Sequence, residues 1–147
     1  HIKQIGYALY LKMLEDALAS LSGDEKKEKK TVDIKLAISA YISDDYIHED
    51  RVRLELYRRL SRASDIQDVY KIEEEMEDRF GKPDIFTKQF IELIIIKILA
   101  LNKGIQNISS YEMNITFTKD DATKESIKSP SKDDDDIIAT TLRYLRK

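Results

Sequence analysis

Apolar side chains recur with a helical period of about 3.6 through most of residues 1–103, and with a period of two in the stretch that follows. A first helix is predicted over residues 1–21, through Leu11, Leu14, Ala17, Leu18 and Leu21. Gly23 opens GDEKKEKK, a charged run without apolar residues that reads as a flexible linker. Val32, Ile34, Leu36 and Ile38 then alternate with Asp33 and Lys35, the mark of a half-buried strand. After a polar turn region at residues 41–49, a helix over 50–61 points Val52, Leu56, Tyr57 and Leu60 inward. The next helix starts at Ser64 or Asp65, either a good N-cap, and buries Ile66, Val69, Ile72, Met76 and Phe80. Gly81 ends it, and Pro83 bars continuation.

Residues 84–103 form a helix that is apolar nearly all round, from Phe90 to Leu101, and is therefore the element buried on most sides. Gly104 caps it. Residues 105–108 are short. Met113, Ile115 and Phe117 alternate with Asn114 and Thr116 in a second strand, and residues 125–129 return as a third before Pro130. Four aspartates, 133–136, lead into a last helix with Ile138, Leu142 and Leu145 as its stripe. The fold class expected is α+β, with about five helices around the central apolar helix and a two- to three-stranded sheet.

Composition narrows the function. Hydrophobic residues make up 41% and charged residues 36% of the 147, enough to bury a core beneath a heavily charged surface. A net charge of −3 argues against a dedicated polyanion binder, though it leaves room for a local basic face. No cysteine is present, which removes disulfides, thiol chemistry and cysteine-ligated zinc, and fits a cytoplasmic protein. No apolar run is long enough for a membrane span. Opening at His1 instead of Met, the chain reads as a segment of something larger.

The candidate chemistry is sparse. Aspartates 133–136 lack the alternating ligands, sixth-position glycine and closing glutamate of a calcium loop, and acids in a first helical turn are what the helix dipole favours, so no metal site is assigned. His48 has no second histidine but His1, so neither a zinc site nor a histidine triad can be assembled. The scattered glycines cannot form a phosphate-cradling loop. No catalytic residue is assigned, and this chain is read as non-enzymatic. Two charged features remain. Arg51, Arg53, Arg58, Arg59 and Arg62 decorate the helix over 50–61. Such a stripe can track a nucleic-acid backbone, or make helix-face pairs such as Arg51–Glu55 and Glu55–Arg59. At the end of the next helix, Glu75, Asp78 and Arg79 share a face distinct from the one carrying Met76 and Phe80. Glu77 and Asp78 there oppose the negative end of the helix dipole, at about 0.3–1 kcal/mol each, partly offset by Arg79 and Lys82.

The run RLELYRRL at residues 53–60, then EEMEDRFG ending at Gly81 and KPD after it, resembles the C-terminal domain of bacterial transcription-repair coupling factor. In that family a strand and an aspartate-rich turn (here SDDYI, residues 43–47) precede an R-L-x-x-Y-x-R helix and a helix ending E-x-x-D-R-F-G. The resemblance spans residues 32–118. It extends to IGYALY (residues 5–10), which looks like the segment joining this domain to a preceding translocase module, whereas the tail beyond Thr118 departs from the pattern. It implies three segments: a linking helix at 1–22, a charged linker at 23–31 and a regulatory domain at 32–147. It also implies a non-catalytic, autoinhibitory domain of an ATP-dependent DNA translocase that acts on DNA and stalled RNA polymerase and recruits the damage-recognition ATPase of excision repair. ATP and magnesium would belong to the translocase module, with no cofactor in this chain. The family's docking residues carry over to Glu75, Asp78 and Arg79, whose partner would be the parent's own amino-terminal adaptor module. The alternative is nucleic-acid contact through Arg51, Arg58, Arg59 and Arg62. The isolated piece is expected to be a monomer or a dimer that exchanges its first helix.

Overall fold

The computed structural model of the chain describes residues 30–147. The helix expected over residues 1–21 and most of the charged linker lie outside them. Four helices and a four-stranded sheet make up the described residues: β1 (Asp33–Lys35), α1 (Asp50–Arg62), α2 (Ile66–Phe80), α3 (Ile85–Asn102), β2 (Ile105–Tyr111), β3 (Asn114–Lys119), β4 (Lys124–Lys128) and α4 (Asp134–Leu145). They fall into two compact units, Ser39–Ile94 and Lys30–Ile38 with Ile95–Lys147.

In the first unit, α1 buries Leu56, Tyr57 and Leu60, and α2 buries Val69, Ile72 and Met76. The i, i+3, i+4 spacing of these residues puts each set on one helix face. The first part of α3 supplies Phe90 and Ile91, and Tyr57 meets Phe90 edge-on at 5.0 Å. Residues 39–49 run without regular structure but are held against these helices. The Tyr57 hydroxyl oxygen accepts from the Ile42 N–H at 2.7 Å, and Thr87 Oγ1 accepts from the Ser43 N–H at 3.2 Å. Side chains thus satisfy backbone donors that no strand or helix serves. Asp65 caps α2 by accepting from the Gln67 N–H at 2.9 Å. Gly81 ends it at φ +85°, where its N–H bonds to the Glu77 carbonyl.

In the second unit, the sheet order is β1-β2-β3-β4, with β1 parallel to β2 and the other pairs antiparallel. The sheet has four strands where the pattern suggested two to three, and the one that went unread is β2, which pairs on both of its edges. Its two buried isoleucines, Ile105 and Ile108, are three residues apart, which strict alternation would place on opposite faces. A register shift between Ile105 and Asn107 restores them to one side. β1 is shorter than its alternating pattern. The Ile38 N–H turns back onto the Leu36 carbonyl, and the Ala37 N–H goes to Ser110 Oγ, so the ladder stops at Lys35. Ile115 and Phe117 of β3 are buried, and Phe117 stacks on Tyr144 of α4 at 3.9 Å. The Tyr144 hydroxyl donates to Glu125 of β4. The later part of α3 buries Ile95, Ile96, Ile98 and Ala100. Gly104 follows it at φ +70°, a conformation that suits glycine, and its carbonyl accepts from the Asp120 N–H.

Candidate functional site

The last two turns of α2 are positioned by contacts that the sequence does not advertise. Tyr46, from the irregular segment, donates its hydroxyl to the Gly81 carbonyl at 2.6 Å and lies 3.2 Å from the Met76 carbonyl, while its ring meets Phe80 edge-on. The Gly81 carbonyl lies past the helix end, where no intrahelical donor serves it. Burial, with the nearby charges of Glu77, Asp84 and Glu73, pushes the Tyr46 pKa up to about 12, so it remains a donor at any physiological pH. Lys88 of α3 binds Glu73 of α2 at 2.6 Å, tying the two helices together.

On this fixed helix end the structure brings Glu75, Asp78 and Arg79 to one surface. Asp78 and Arg79 are exposed. Arg79 donates to Glu75 at 3.1 Å and lays its guanidinium over the Phe80 ring at 4.8 Å. Glu75 is the hub. Arg59 of α1 grips it with two hydrogen bonds, Nη1 to Oε2 at 2.7 Å and Nη2 to Oε1 at 2.8 Å. The Arg59 hydrogen bond, aided by Arg79, holds the Glu75 carboxyl down at about 2 despite partial burial, and the same bond raises the Arg59 pKa. Glu75 is therefore ionised and fixed in orientation.

The arginines of α1 divide. Arg53 reaches Asp50 and the carbonyls of Ile47 and His48, and Arg59 reaches Glu75. Neither expected pair with Glu55 forms among the described residues. Arg59 instead turns to α2, where Glu75 offers both oxygens in the plane of the guanidinium fork. Arg58 and Arg62 line an open groove of about 320 Å³ with Arg59, Ala63, Asp68 and Ile72. Arg51 is exposed at the start of α1. His48 is exposed in the loop before α1.

Carboxylates of Asp133, Asp135 and Asp136 come within 4.8 Å of one another. Asp136 accepts from the Ser131 hydroxyl, and Asp135 from the Asp136 N–H, bonds that start α4. Among the described residues no helix is long and apolar enough to cross a membrane.

Arg59 is the functional residue that sequence reasoning assigned to a different partner. Its pairing with Glu75 spans 16 residues and depends on how α1 and α2 face each other, for which a single sequence carries no signal.

Fold and surface together describe a small α+β module that presents a charged, tightly anchored helix end. Comparison with known proteins gives its family. A family model described as the TRCF domain matches residues 36–129, reaching past Thr118 to the end of the sheet. The transcription-repair-coupling factor of Helicobacter pylori strain J99 is 51% identical over 145 residues, which is 99% of this chain and 14% of that protein. The transcription-repair-coupling factor of Rickettsia prowazekii is 33% identical over 111 residues, 74% of this chain and 10% of that protein. The crystal structure of the C-terminal domain of a transcription-repair coupling factor superposes with a TM-score of 0.58 at 22% identity, covering 62% of this chain and 58% of that one, a likeness of fold. The chain belongs to the TRCF domain family. It spans 14–15% of the length of the Helicobacter relatives that it matches.

Proposed function

We propose that this chain is the regulatory domain of a DNA translocase that couples transcription to nucleotide excision repair, and that it restrains its parent by docking on the parent's own amino-terminal adaptor module. The contact runs through Glu75, Asp78 and Arg79. Docked, it masks the surface that recruits the damage-recognition ATPase of excision repair. The chemistry on DNA and RNA polymerase, with its ATP and magnesium, belongs to the translocase module, and the protein works in the cytoplasm. The observation that carries this reading is the anchored helix end, where Glu75 stays ionised and oriented between two arginines beside an exposed Asp78. A pre-oriented carboxylate loses little freedom on binding, and exposed charges of both signs favour a reversible, salt-sensitive contact with a basic patch.

The test is binding of this chain to the adaptor module, against a variant carrying Glu75→Lys, Asp78→Lys and Arg79→Glu. Binding should weaken with salt and fall about tenfold or more in the triple variant. Asp78→Lys alone, at an exposed position, should show the same direction with the fold intact. Binding that neither variant changes would move the interface elsewhere. The nucleic-acid reading is favoured by Arg58 and Arg62, which line an open groove, and disfavoured by the internal pairs of Arg53 and Arg59.

A further inference from the structure

We propose that the groove lined by Arg58, Arg59, Arg62, Ala63, Asp68 and Ile72 binds an acidic peptide segment of a partner protein. Arg58 and Arg62 stand one helical turn apart on α1, so their Cα atoms share a face about 6 Å apart along the axis. Like charges at this spacing repel each other, and neither guanidinium has a hydrogen bond or ion pair among the described residues. The contrast with Arg53 and Arg59, both committed to acids, is sharp. The apolar part of the lining is Ala63 and Ile72, the latter 8% exposed. The exposed Asp68 adds an acceptor to the lining.

This combination selects the occupant. Two guanidinium forks one turn apart match two carboxylates flanking a small aliphatic side chain, which the apolar lining of Ala63 and Ile72 can hold. Asp68 can accept a backbone N–H of such a segment. A phosphodiester backbone has no donor to offer Asp68 and would be repelled by it. The exposed acids of α2, Glu74, Glu77 and Asp78, also break any continuous positive track along this unit. The groove therefore favours a peptide over a nucleic acid. Arg58 and Arg62 are not residues of the docking face, so this inference stands apart from the proposed docking.

The test uses the whole 147-residue chain and fluorescence anisotropy with a short labelled peptide of alternating glutamate and leucine. Parallel titrations use an all-glutamate peptide and an oligothymidylate of matching charge. The expected result is saturable binding of the Glu-Leu peptide, weakened about tenfold or more by Arg58→Glu with Arg62→Glu. Binding should be weaker for the all-glutamate peptide and unchanged by Asp78→Lys, which reports only on docking. Arg62 is exposed and Arg58 half-buried, so Arg62→Glu alone, which should melt like the parent protein and weaken binding in the same direction, separates loss of binding from loss of fold. Absence of peptide binding would overturn the proposal. So would binding indifferent to the two arginines, or oligothymidylate bound as tightly as the peptide.

Discussion

At the scale of single residues, the Arg59–Glu75 pair shows how much a side chain's role depends on its opposite number. Both side chains are about one-third exposed, so water and salt screen the pair, and its contribution to stability is about 0.2–1 kcal/mol in spite of its bidentate geometry. Its larger effect is on ionisation. Because the folded pKa of Glu75, about 2, lies below its ordinary value of 4.5, the stabilisation is complete above pH 4.5 and is lost as pH falls toward 2. Arg59→Ala should raise the Glu75 pKa toward 4.5, with Arg79 retaining part of the shift, as read by carboxyl NMR titration. The stability gap between this variant and the parent protein should be present at neutral pH and close through the same acid window in thermal melts. A Glu75 titration unmoved by Arg59→Ala would mean that Arg79 alone fixes the carboxylate. The candidate site was legible as a motif, since Glu75, Asp78 and Arg79 lie close together in the chain. Its charge balance was not, because that depends on a residue from another helix.

Among the elements, the helices could be read closely because their period repeats over several turns. α2 begins at the Asp65 cap and ends at Gly81 as its residues suggest, and the apolar circumference of α3 is matched by burial on nearly every side. The strands were harder. The isoleucines of β2 follow no alternation, because an irregular residue step re-phases them, and only the neighbouring strands reveal it. β1 shows the opposite fault, a clean pattern longer than its ladder. The end of α2 is also where an element prediction can be tested. Gly81 lies at φ +85° and ψ −175°, and a Cβ there would meet nothing within 4 Å, so Gly81→Ala adds backbone strain without a clash. The expected loss is about 1–3 kcal/mol, seen as a lower midpoint in denaturant, with weaker docking because the Tyr46 anchor to the Gly81 carbonyl is disturbed. A neutral outcome would show that the helix end relaxes at no cost.

Across the whole molecule, chain order and spatial grouping diverge. Lys30–Ile38 groups with Ile95–Lys147, so the sheet is closed on one side by a strand from far earlier in the chain. Removing residues 30–38 should strip β2 of its parallel partner and expose the edge beside Ile108. The expected signs are faster exchange of those β2 amides that face β1 and a tendency to associate, with the helices of Ser39–Ile94 less affected. Exchange unchanged at those amides would mean that β1 contributes little to the sheet.

The sequence by itself determined the helices among the described residues, the two ends of α2 at Asp65 and Gly81, and the shared face of Glu75, Asp78 and Arg79, because each is written within a few turns of chain, where periodicity and dipole chemistry act locally. Tertiary structure decided what those rules cannot reach. It set the parallel pairing of β1 with β2, the re-phased register that buries Ile105 and Ile108, the hold of Arg59 on Glu75, and the groove lined by Arg58 and Arg62, which have no ion pair among the described residues. Each of these joins residues distant in the chain, and such contacts form only when the buried faces of several elements are satisfied together.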